Sequence, residues 1–346
     1  MKWFAAVAAG AFVTFAILCA AGFHATPYDN YVLLADAFRH GRVWIDWPGS
    51  YIDALPYAGR YYVIEAPLPA LLLLPAVLVR GTAVSQSLLA ALLGGLATFA
   101  GYEIARVLGV ARRTTLLLCA FLLLGTDLFW CATFGDVWFV AHVAAVAFTL
   151  LAILELLGKR RGLLVALFAV CALESRFTMV LALPVYAGML WFGTGLDPER
   201  DRNARASRQS LIAFAFVIAA AVPLWVWYNE LRWGLPYDIG YTAWYHQDQA
   251  GEPSGSPFRL AYLPMQLTSF FVQYPDFRPV FPFLIPSIAG VALTWTSPAL
   301  GLAFLVRSPV RLVAAMWLAT ALCAAPNFVY YVNGIAQFGM RHALDF

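Results

Sequence analysis

Long apolar blocks, separated by short breaks that carry charge, are the feature that most constrains how this chain folds. The first block covers residues 3–23, which is long enough to cross the hydrocarbon core of a bilayer as a helix. Because backbone polar groups in lipid must be satisfied within the segment, such blocks predict transmembrane α-helices. The chain is 62% hydrophobic and 12% charged, a balance that excludes a water-soluble domain.

The later blocks extend this pattern along residues 1–346, which we treat as a single membrane domain. We expect crossings at 84–108, 115–130, 138–157, 163–174, 177–192, 211–228, 284–306 and 312–332. Together with the first block they predict an all-α polytopic membrane fold with about nine transmembrane helices. Residues 67–79 are apolar but too short to cross, so they predict a re-entrant or interfacial helix. A cleaved signal peptide is the alternative for the first block, since small residues occupy 19–22.

Positive charge orients the expected helices, because cytoplasmic loops carry an excess of lysine and arginine. The basic residues on the expected cytoplasmic side are Lys2, Arg106, Arg112, Arg113, Lys159, Arg160, Arg161, Arg200, Arg202, Arg205, Arg208, Arg307 and Arg311. We therefore expect a multi-pass plasma membrane protein, in bacteria of the inner membrane, with a cytoplasmic N-terminus. The long external loops, 24–83 and 229–283, are acidic and aromatic, and we expect the chemistry there.

Other features narrow the function classes. The five cysteines lie in apolar segments without a CxxC pair, so they predict neither disulfides nor a zinc site. Gly94 and Gly95 lie within an expected crossing and predict close helix packing in place of a phosphate-binding loop. We expect no nucleotide-activated donor on the cytoplasmic side and no nucleic-acid partner.

Asp29 follows the first apolar block at the expected water boundary. From Tyr31 onward the apolar residues recur at helical spacing, which predicts a short amphipathic helix in the membrane interface, reaching toward Arg42. Asp29 is therefore a candidate catalytic base beside hydrocarbon and lipid headgroups. The structural alternative is that its side chain only caps this helix.

Further ionisable residues fall on the expected external face. Glu65 precedes the re-entrant helix, Asp136 lies in a turn between two crossings, and Arg176 stands at the tip of a short hairpin. Ionisable groups at membrane depth are costly, so these residues and His142 are functional candidates. The structural alternatives are a turn role for Asp136 and a core role for His142. For Arg176 the alternative is an ion pair with Glu174.

A series of short motifs runs through most of the chain. In order, they are Asp29-Asn30-Tyr31 through Gly41-Arg42, Gly59-Arg60-Tyr61-Tyr62 before Pro67 and Pro69, Gly135-Asp136-Val137-Trp138-Phe139 with His142, Ser175-Arg176, Trp227-Tyr228-Asn229-Glu230-Leu231-Arg232-Trp233-Gly234 through Gly240-Tyr241, and Phe338-Gly339-Met340-Arg341-His342-Ala343-Leu344-Asp345. Their order resembles that of the polyprenyl-phosphate-dependent glycosyltransferases of the GT-C superfamily, which include lipid A aminoarabinose transferases and protein mannosyltransferases.

The resemblance implies an inverting transferase that moves a sugar from a polyprenyl phosphate to an acceptor hydroxyl at the external face. The departing phosphate is already a stable anion, so the reaction needs a base for the acceptor proton and positive charge for the phosphate. The implied roles are general base for Asp29, donor-phosphate binding for Arg176, Arg341 and Arg60, metal or substrate binding for Glu65, Asp136 and His142, and acceptor recognition for Arg232 and Tyr241.

The implied partners are membrane lipid, the lipid-linked sugar as co-substrate, and a glycan, lipid or protein acceptor; a divalent metal is an optional replacement for an arginine. The resemblance also implies that the protein continues past Phe346 into further membrane helices. A transporter or lipid flippase is the rival of another class, although the chain shows no repeated halves. A non-catalytic membrane scaffold is the third interpretation.

Overall fold

In the computed structural model, residues 3–21 and 26–346 are described. Lys2 and residues 22–25, where we expect the first crossing to leave the membrane, lie outside that part of the chain. The helices up to residue 157 are α1 (Phe4–Ala21), α2 (Asn30–Arg39), α3 (Leu68–Arg80), α4 (Gln86–Val107), α5 (Arg112–Leu124), α6 (Leu128–Phe134) and α7 (Val137–Leu157).

The later helices are α8 (Gly162–Leu173), α9 (Leu183–Phe192), α10 (Pro198–Asp201), α11 (Ala204–Trp233), α12 (Gly240–Gln247), α13 (Leu263–Phe271), α14 (Leu293–Thr296) and α15 (Val310–Phe328). Turns of 3₁₀ helix cover Phe177–Ala182, Leu260–Tyr262, Pro298–Leu305 and Arg341–Asp345. Helix therefore dominates the described residues, as the apolar blocks predict.

Among the described residues, the helices long and apolar enough to cross a membrane number five, namely α1, α4, α7, α11 and α15. The count rises to six if α5 and α6, which meet at an angle of 56°, are one broken crossing. The expected pair at 163–174 and 177–192 forms shorter apolar helices, so length and composition support five or six crossings and not nine. A polytopic helical membrane protein is confirmed at this coarser level.

The expected crossing at 284–306 is wrong. This apolar stretch instead contains strand β4 (Leu284–Ile285), the single turn of α14 and the 3₁₀ turn Pro298–Leu305. Pro286 and Pro298 each lack a backbone N–H donor, and Gly290 has φ of 94°, a left-handed conformation. These breaks divide a block whose hydropathy alone resembles a membrane helix.

The prediction of an all-α fold also needs a small correction. Strands β1 (Ala54–Tyr57) and β2 (Arg60–Val63) form an antiparallel hairpin in the first long loop. Strand β3 (Asp276–Phe277) pairs with β4 in the second. Residues 68–79 lie in α3, a short helix as predicted. A backbone hydrogen bond joins α3 to the tip of the α8–α9 hairpin: the Leu68 N–H donates to the Glu174 carbonyl oxygen at 2.8 Å.

Helices α1 and α4 pack through glycines, which confirms the interpretation of Gly94 and Gly95 as packing residues. A Cβ atom added at Gly95 would lie 2.6 Å from the carbonyl oxygen of Gly10, and one at Gly10 would lie 2.8 Å from the carbonyl oxygen of Gly95. The two backbones therefore approach closely, as small residues allow between membrane helices.

A methyl group at Gly95 should destabilise the protein. We expect Gly95→Ala to cost roughly 1–3 kcal/mol because it overpacks a contact made by backbone atoms that cannot rotate away. Gly188, in α9, is the matched control, since a Cβ added there meets nothing within 4 Å. Gly188→Ala should leave the melting temperature unchanged or raise it. A detergent thermal melt of both variants measures the difference, and equal melting temperatures would contradict the packing argument.

The membrane bundle has two distinct ends. At one end, basic side chains bind carboxylates and helix C-termini: Arg160 pairs with Asp201 at 2.5 Å and Arg161 with Glu155 at 2.7 Å, while Arg311 donates to the Phe192 carbonyl oxygen at 3.1 Å. The other end carries the β1–β2 hairpin, the start of α7 and the 3₁₀ turn Arg341–Asp345. The candidate site lies at this second end.

Candidate functional site

The β1–β2 hairpin carries two carboxylates to the same place. Ala54 pairs with Val63 in the hairpin register, so Asp53 and Glu65, which flank the strands, lie at one end of it. Glu65 is buried, and its carboxyl group lies beside that of Asp53. Burial and the negative charge of Asp53 raise the pKa of Glu65 well above its usual range. Both effects favour the protonated form of the Glu65 carboxyl group.

Arg176 is the principal cation of the cluster. It follows α8 at the hairpin tip, and its guanidinium forms a forked pair with Asp345, with Nη2 2.9 Å from Oδ2 and Nε 3.2 Å from both carboxylate oxygens. Asp345 is completely buried and also accepts a hydrogen bond from Thr178 Oγ1 at 3.1 Å. Burial by itself would raise the pKa of Asp345, but the positive charge of Arg176 outweighs it, and the pKa lies far below its usual range.

The structural alternative for the hairpin tip, an ion pair between Arg176 and Glu174, is wrong. Arg176 turns toward Asp345, which is 169 residues away along the chain. Among the described residues, the Glu174 carboxylate has no hydrogen-bond or ion-pair partner in the protein. Burial raises the pKa of Glu174 to about 7.

His142 is a fully buried residue of α7 and contacts the same aspartate. Its Nδ1 lies 2.7 Å from Asp345 Oδ1, while Nε2 is left without a partner. The ring of His342 lies edge-on to that of His142, with centroids 5.4 Å apart. The core interpretation of His142 is thus incomplete, because the residue belongs to the polar cluster that contains Arg176.

Arg341 reaches the cluster from the C-terminal segment. Its Nη1 donates to Ile335 O and to Gln337 Oε1, each at 3.2 Å, and its guanidinium lies over the Phe139 ring. Burial raises the pKa of Asp53. The positive charges of Arg341 and Arg176 act in the opposite direction but do not outweigh the burial. Two of the three predicted phosphate-binding arginines, Arg176 and Arg341, therefore act on the Asp53–Glu65 pair.

Asp29 occupies the N-cap position of α2, and the predicted helix begins at the next residue. Its side chain makes no capping hydrogen bond, so capping does not account for an aspartate here. The carboxyl group is half-buried, and burial raises its pKa. Two residues on, Tyr31 is buried where the charges of Glu65 and Arg176 influence its hydroxyl. The start of α2 therefore borders the cluster, while Asp29 itself makes no ion pair among the described residues.

Asp136 and Arg60 make no ion pair in the cluster among the described residues, although the charge of Arg341 acts on Asp136. Asp136 precedes α7 and accepts a hydrogen bond from Thr26 Oγ1, which ties the turn to the segment before α2. Arg60 is exposed on the hairpin, where its guanidinium lies 3.6 Å from the centre of the Trp44 ring. In the described part of the chain, no hydrogen bond or ion pair joins either residue to Arg176.

Arg232 and Tyr241, predicted to act on the acceptor, lie together beside a narrow cleft. Arg232 is buried at the end of α11; its Nη2 donates to the Val63 carbonyl oxygen at 2.7 Å and its Nη1 lies 3.7 Å from Asp238. The cleft is small, with a cavity volume of about 20 Å³, which is room for roughly one water molecule. It is lined by Ile64, Ala66, Pro67, Leu173, Glu174, Ser175, Phe177, Trp225, Tyr228, Asn229, Arg232, Asp238 and Tyr241.

Sequence reasoning missed Asp53, Asp345 and His342 as members of the cluster. The signal available for Asp345 and His342 was the occurrence of charged residues in a segment that follows an apolar block. Asp53 gave no such signal, since an aspartate in a polar loop is ordinary. Its backbone φ of 52° lies in the left-handed region, which is visible only in the structure.

No group of three or more histidine, cysteine, aspartate or glutamate side chains is arranged to hold a metal ion within residues 3–21 and 26–346. The expected metal or substrate ligands divide between two places, Glu65 and His142 in the cluster and Asp136 beside Thr26. Comparisons with protein-family models, curated proteins and solved structures found no match. The arrangement of the site therefore carries the functional argument.

Proposed function

We propose that this chain is an integral membrane glycosyltransferase of the GT-C type, which moves a sugar from a polyprenyl phosphate to an acceptor hydroxyl. The observation that carries the proposal is the meeting of two arginines and a carboxyl pair at one end of an apolar bundle. Buried charge is expensive beside lipid and is retained where it contacts a substrate or its phosphate. Attack by the acceptor opposite the departing phosphate inverts the sugar carbon.

Arg176 and Arg341 supply the positive charge for the donor phosphate. Asp345 engages Nε and Nη2 of Arg176, and within the described residues Nη1 has no hydrogen-bond acceptor. The forked pair holds the guanidinium plane in place and leaves one edge to receive a phosphate oxygen. Charge held ready in this way stabilises the phosphate as its bond to the sugar breaks.

Asp29 is the proposed base for the acceptor proton. Its half-buried carboxyl group has no structural partner in the described residues, and burial raises its pKa, which makes it a stronger proton acceptor. It accepts the proton from the acceptor hydroxyl as the oxygen bonds to the sugar carbon, and the polyprenyl phosphate leaves with the electron pair of the broken bond.

The proposed orientation places this site outside the cytoplasm of the cell, in the plasma membrane, with the N-terminus inside. Two exposed small residues test it: Ser254 in the second long loop and Ala206 near the start of α11. In intact cells, an impermeant thiol reagent should label Ser254→Cys and not Ala206→Cys. The unmodified protein gives the background from native cysteines. Labelling of Ala206→Cys with none at Ser254→Cys would reverse the orientation.

Transfer by purified protein tests the activity. The protein in lipid nanodiscs should release polyprenyl phosphate from at least one member of a panel of polyprenyl-phosphate sugars when glycan, lipid or peptide acceptors are supplied. Nucleotide sugars are the control and should give no release. Flipping of the donor across the bilayer without release would favour the lipid flippase instead.

A further inference from the structure

The side-chain amide of Gln86 joins three backbone segments beside the candidate site. Gln86 is the first residue of α4 and is only 1% exposed. Its Oε1 accepts from the Tyr31 N–H at 3.0 Å, and its Nε2 donates to the carbonyl oxygens of Tyr28 at 3.2 Å and Gly135 at 2.7 Å. Only one orientation of the amide satisfies one donor and two acceptors, so these contacts fix the side chain.

Two of these hydrogen bonds bracket Asp29, the proposed base. Tyr28 precedes Asp29 and Tyr31 follows it by two residues, so Gln86 holds the backbone on both sides. The Tyr28 carbonyl oxygen also accepts from the Val137 N–H at 3.1 Å, which adds the start of α7 to the same anchor. The Asp29 carboxyl group makes no capping hydrogen bond. The backbone around Asp29 is therefore fixed, while its carboxyl group is not used to hold the helix.

A second buried amide holds the residue that follows Asp29. Asn30 is 2% exposed, and its Nδ2 donates to the Ile52 carbonyl oxygen at 3.0 Å. Ile52 adjoins Asp53, so this bond links the start of α2 to the loop that carries the carboxyl pair. The buried amides of Gln86 and Asn30 thus both direct their hydrogen bonds to the backbone around the site.

We infer that Gln86 is a positioning residue for Asp29, holding its carboxyl group where it takes the proton of the acceptor hydroxyl. The inference rests on the proposed transferase function, to which it adds a residue that acts through the base. Proton transfer needs the base within hydrogen-bond reach of the hydroxyl, and a misplacement of about 1 Å can lower the rate by about 10²-fold. Hydrogen bonds to the backbone on both sides of Asp29 limit such a displacement.

Ser87 provides the matched control, because it makes a neighbouring contact without reaching the Asp29 segment. It follows Gln86 in α4, and its Oγ donates to the Phe134 carbonyl oxygen at 3.2 Å, in the turn before α7. Among the described residues, the Ser87 side chain makes no hydrogen bond to residues 26–33. If Gln86 only joined α4 to this turn, Ser87→Ala and Gln86→Met would have similar effects.

Amide hydrogen exchange of the full chain in lipid nanodiscs, with no substrate added, tests the contact. Gln86→Met keeps the length of the side chain and removes all three hydrogen bonds. Residues 26–33, which include the Tyr31 N–H, should exchange about tenfold faster in Gln86→Met and at the native rate in Ser87→Ala. If Gln86→Met does not fold, Gln86→Glu replaces it in every measurement, since it keeps the shape of the side chain and loses at least one of the two donated bonds.

Transfer kinetics separate positioning from general support of the fold. We expect Gln86→Met to lower kcat about tenfold with little change in the KM for the lipid donor, and Ser87→Ala to retain the native kcat. In the Asp29→Asn background, Gln86→Met should cause no further loss, because the base that it positions is already absent. A residue that only supported the fold would lower activity by the same factor in both backgrounds.

The inference is overturned if residues 26–33 exchange at the native rate in Gln86→Met, if Ser87→Ala loses as much kcat, or if Gln86→Met causes an equal loss in the Asp29→Asn background. Failure of the transferase proposal gives a different result. Faster exchange at 26–33 in Gln86→Met, with no sugar transfer by the unmodified protein, refutes the transferase and retains the contact that holds Asp29. Native kcat in Gln86→Met refutes the positioning role and retains the transferase.

Discussion

Asp29→Asn should lower sugar transfer by about 10²-fold or more, with normal expression and thermal stability. Asparagine keeps the shape of the side chain and caps helices about as well as aspartate, and the structure shows no capping bond to lose. The substitution therefore removes the proton-accepting power and little else. Initial rates of transfer by purified proteins at matched concentration provide the measurement.

Asp36→Asn is the control for this experiment. Asp36 lies on the same helix but toward its other end, where its carboxylate pairs with Arg39 at 3.7 Å and with His40 at 3.5 Å. Partly exposed pairs of this kind contribute little to stability, so Asp36→Asn should transfer sugar at nearly the native rate. Equal activity of both variants would remove Asp29 from the mechanism. Loss of folding in Asp29→Asn alone would assign the residue a structural role.

Arg176→Ala and Asp345→Ala should each destabilise the protein by about 3–5 kcal/mol, because each leaves the other charge buried and unpaired. Arg176 is 11% exposed at its side chain and Asp345 is fully buried. The double variant removes both charges and should be no less stable than either single variant, so the two effects are strongly non-additive. Thermal melts of the four proteins measure the coupling.

The double variant also separates folding from phosphate binding. It should fold but transfer sugar about 10²-fold more slowly or worse, because a positive charge held ready for the leaving phosphate is absent. Arg176→Lys keeps the charge and loses the fork, so it should raise the KM for the lipid donor more than that for the acceptor. A double variant with native turnover would leave the arginine with a purely structural role.

The sequence predicted local features better than distant ones. Helix α2 begins where the spacing after Asp29 indicated, and α3 is short, as residues 67–79 implied. Hydropathy failed at 284–306, since a moving average of apolar character does not register two prolines and a left-handed glycine. It also overestimated the count of crossings, because the helices on either side of the Arg176 hairpin tip are too short to be counted by length.

The sequence by itself determined that this is a helical membrane chain whose ionisable residues are few and concentrated outside its apolar blocks, because hydropathy and helical spacing are properties of neighbouring residues. Tertiary structure alone decided which charges meet. Arg176 pairs with Asp345, which is 169 residues away along the chain. His142 contacts the same carboxylate from 203 residues away. No local pattern encodes such a pairing, since an unpaired charge in a low-dielectric interior is satisfied by whichever opposite charge the packing of the helices brings to it.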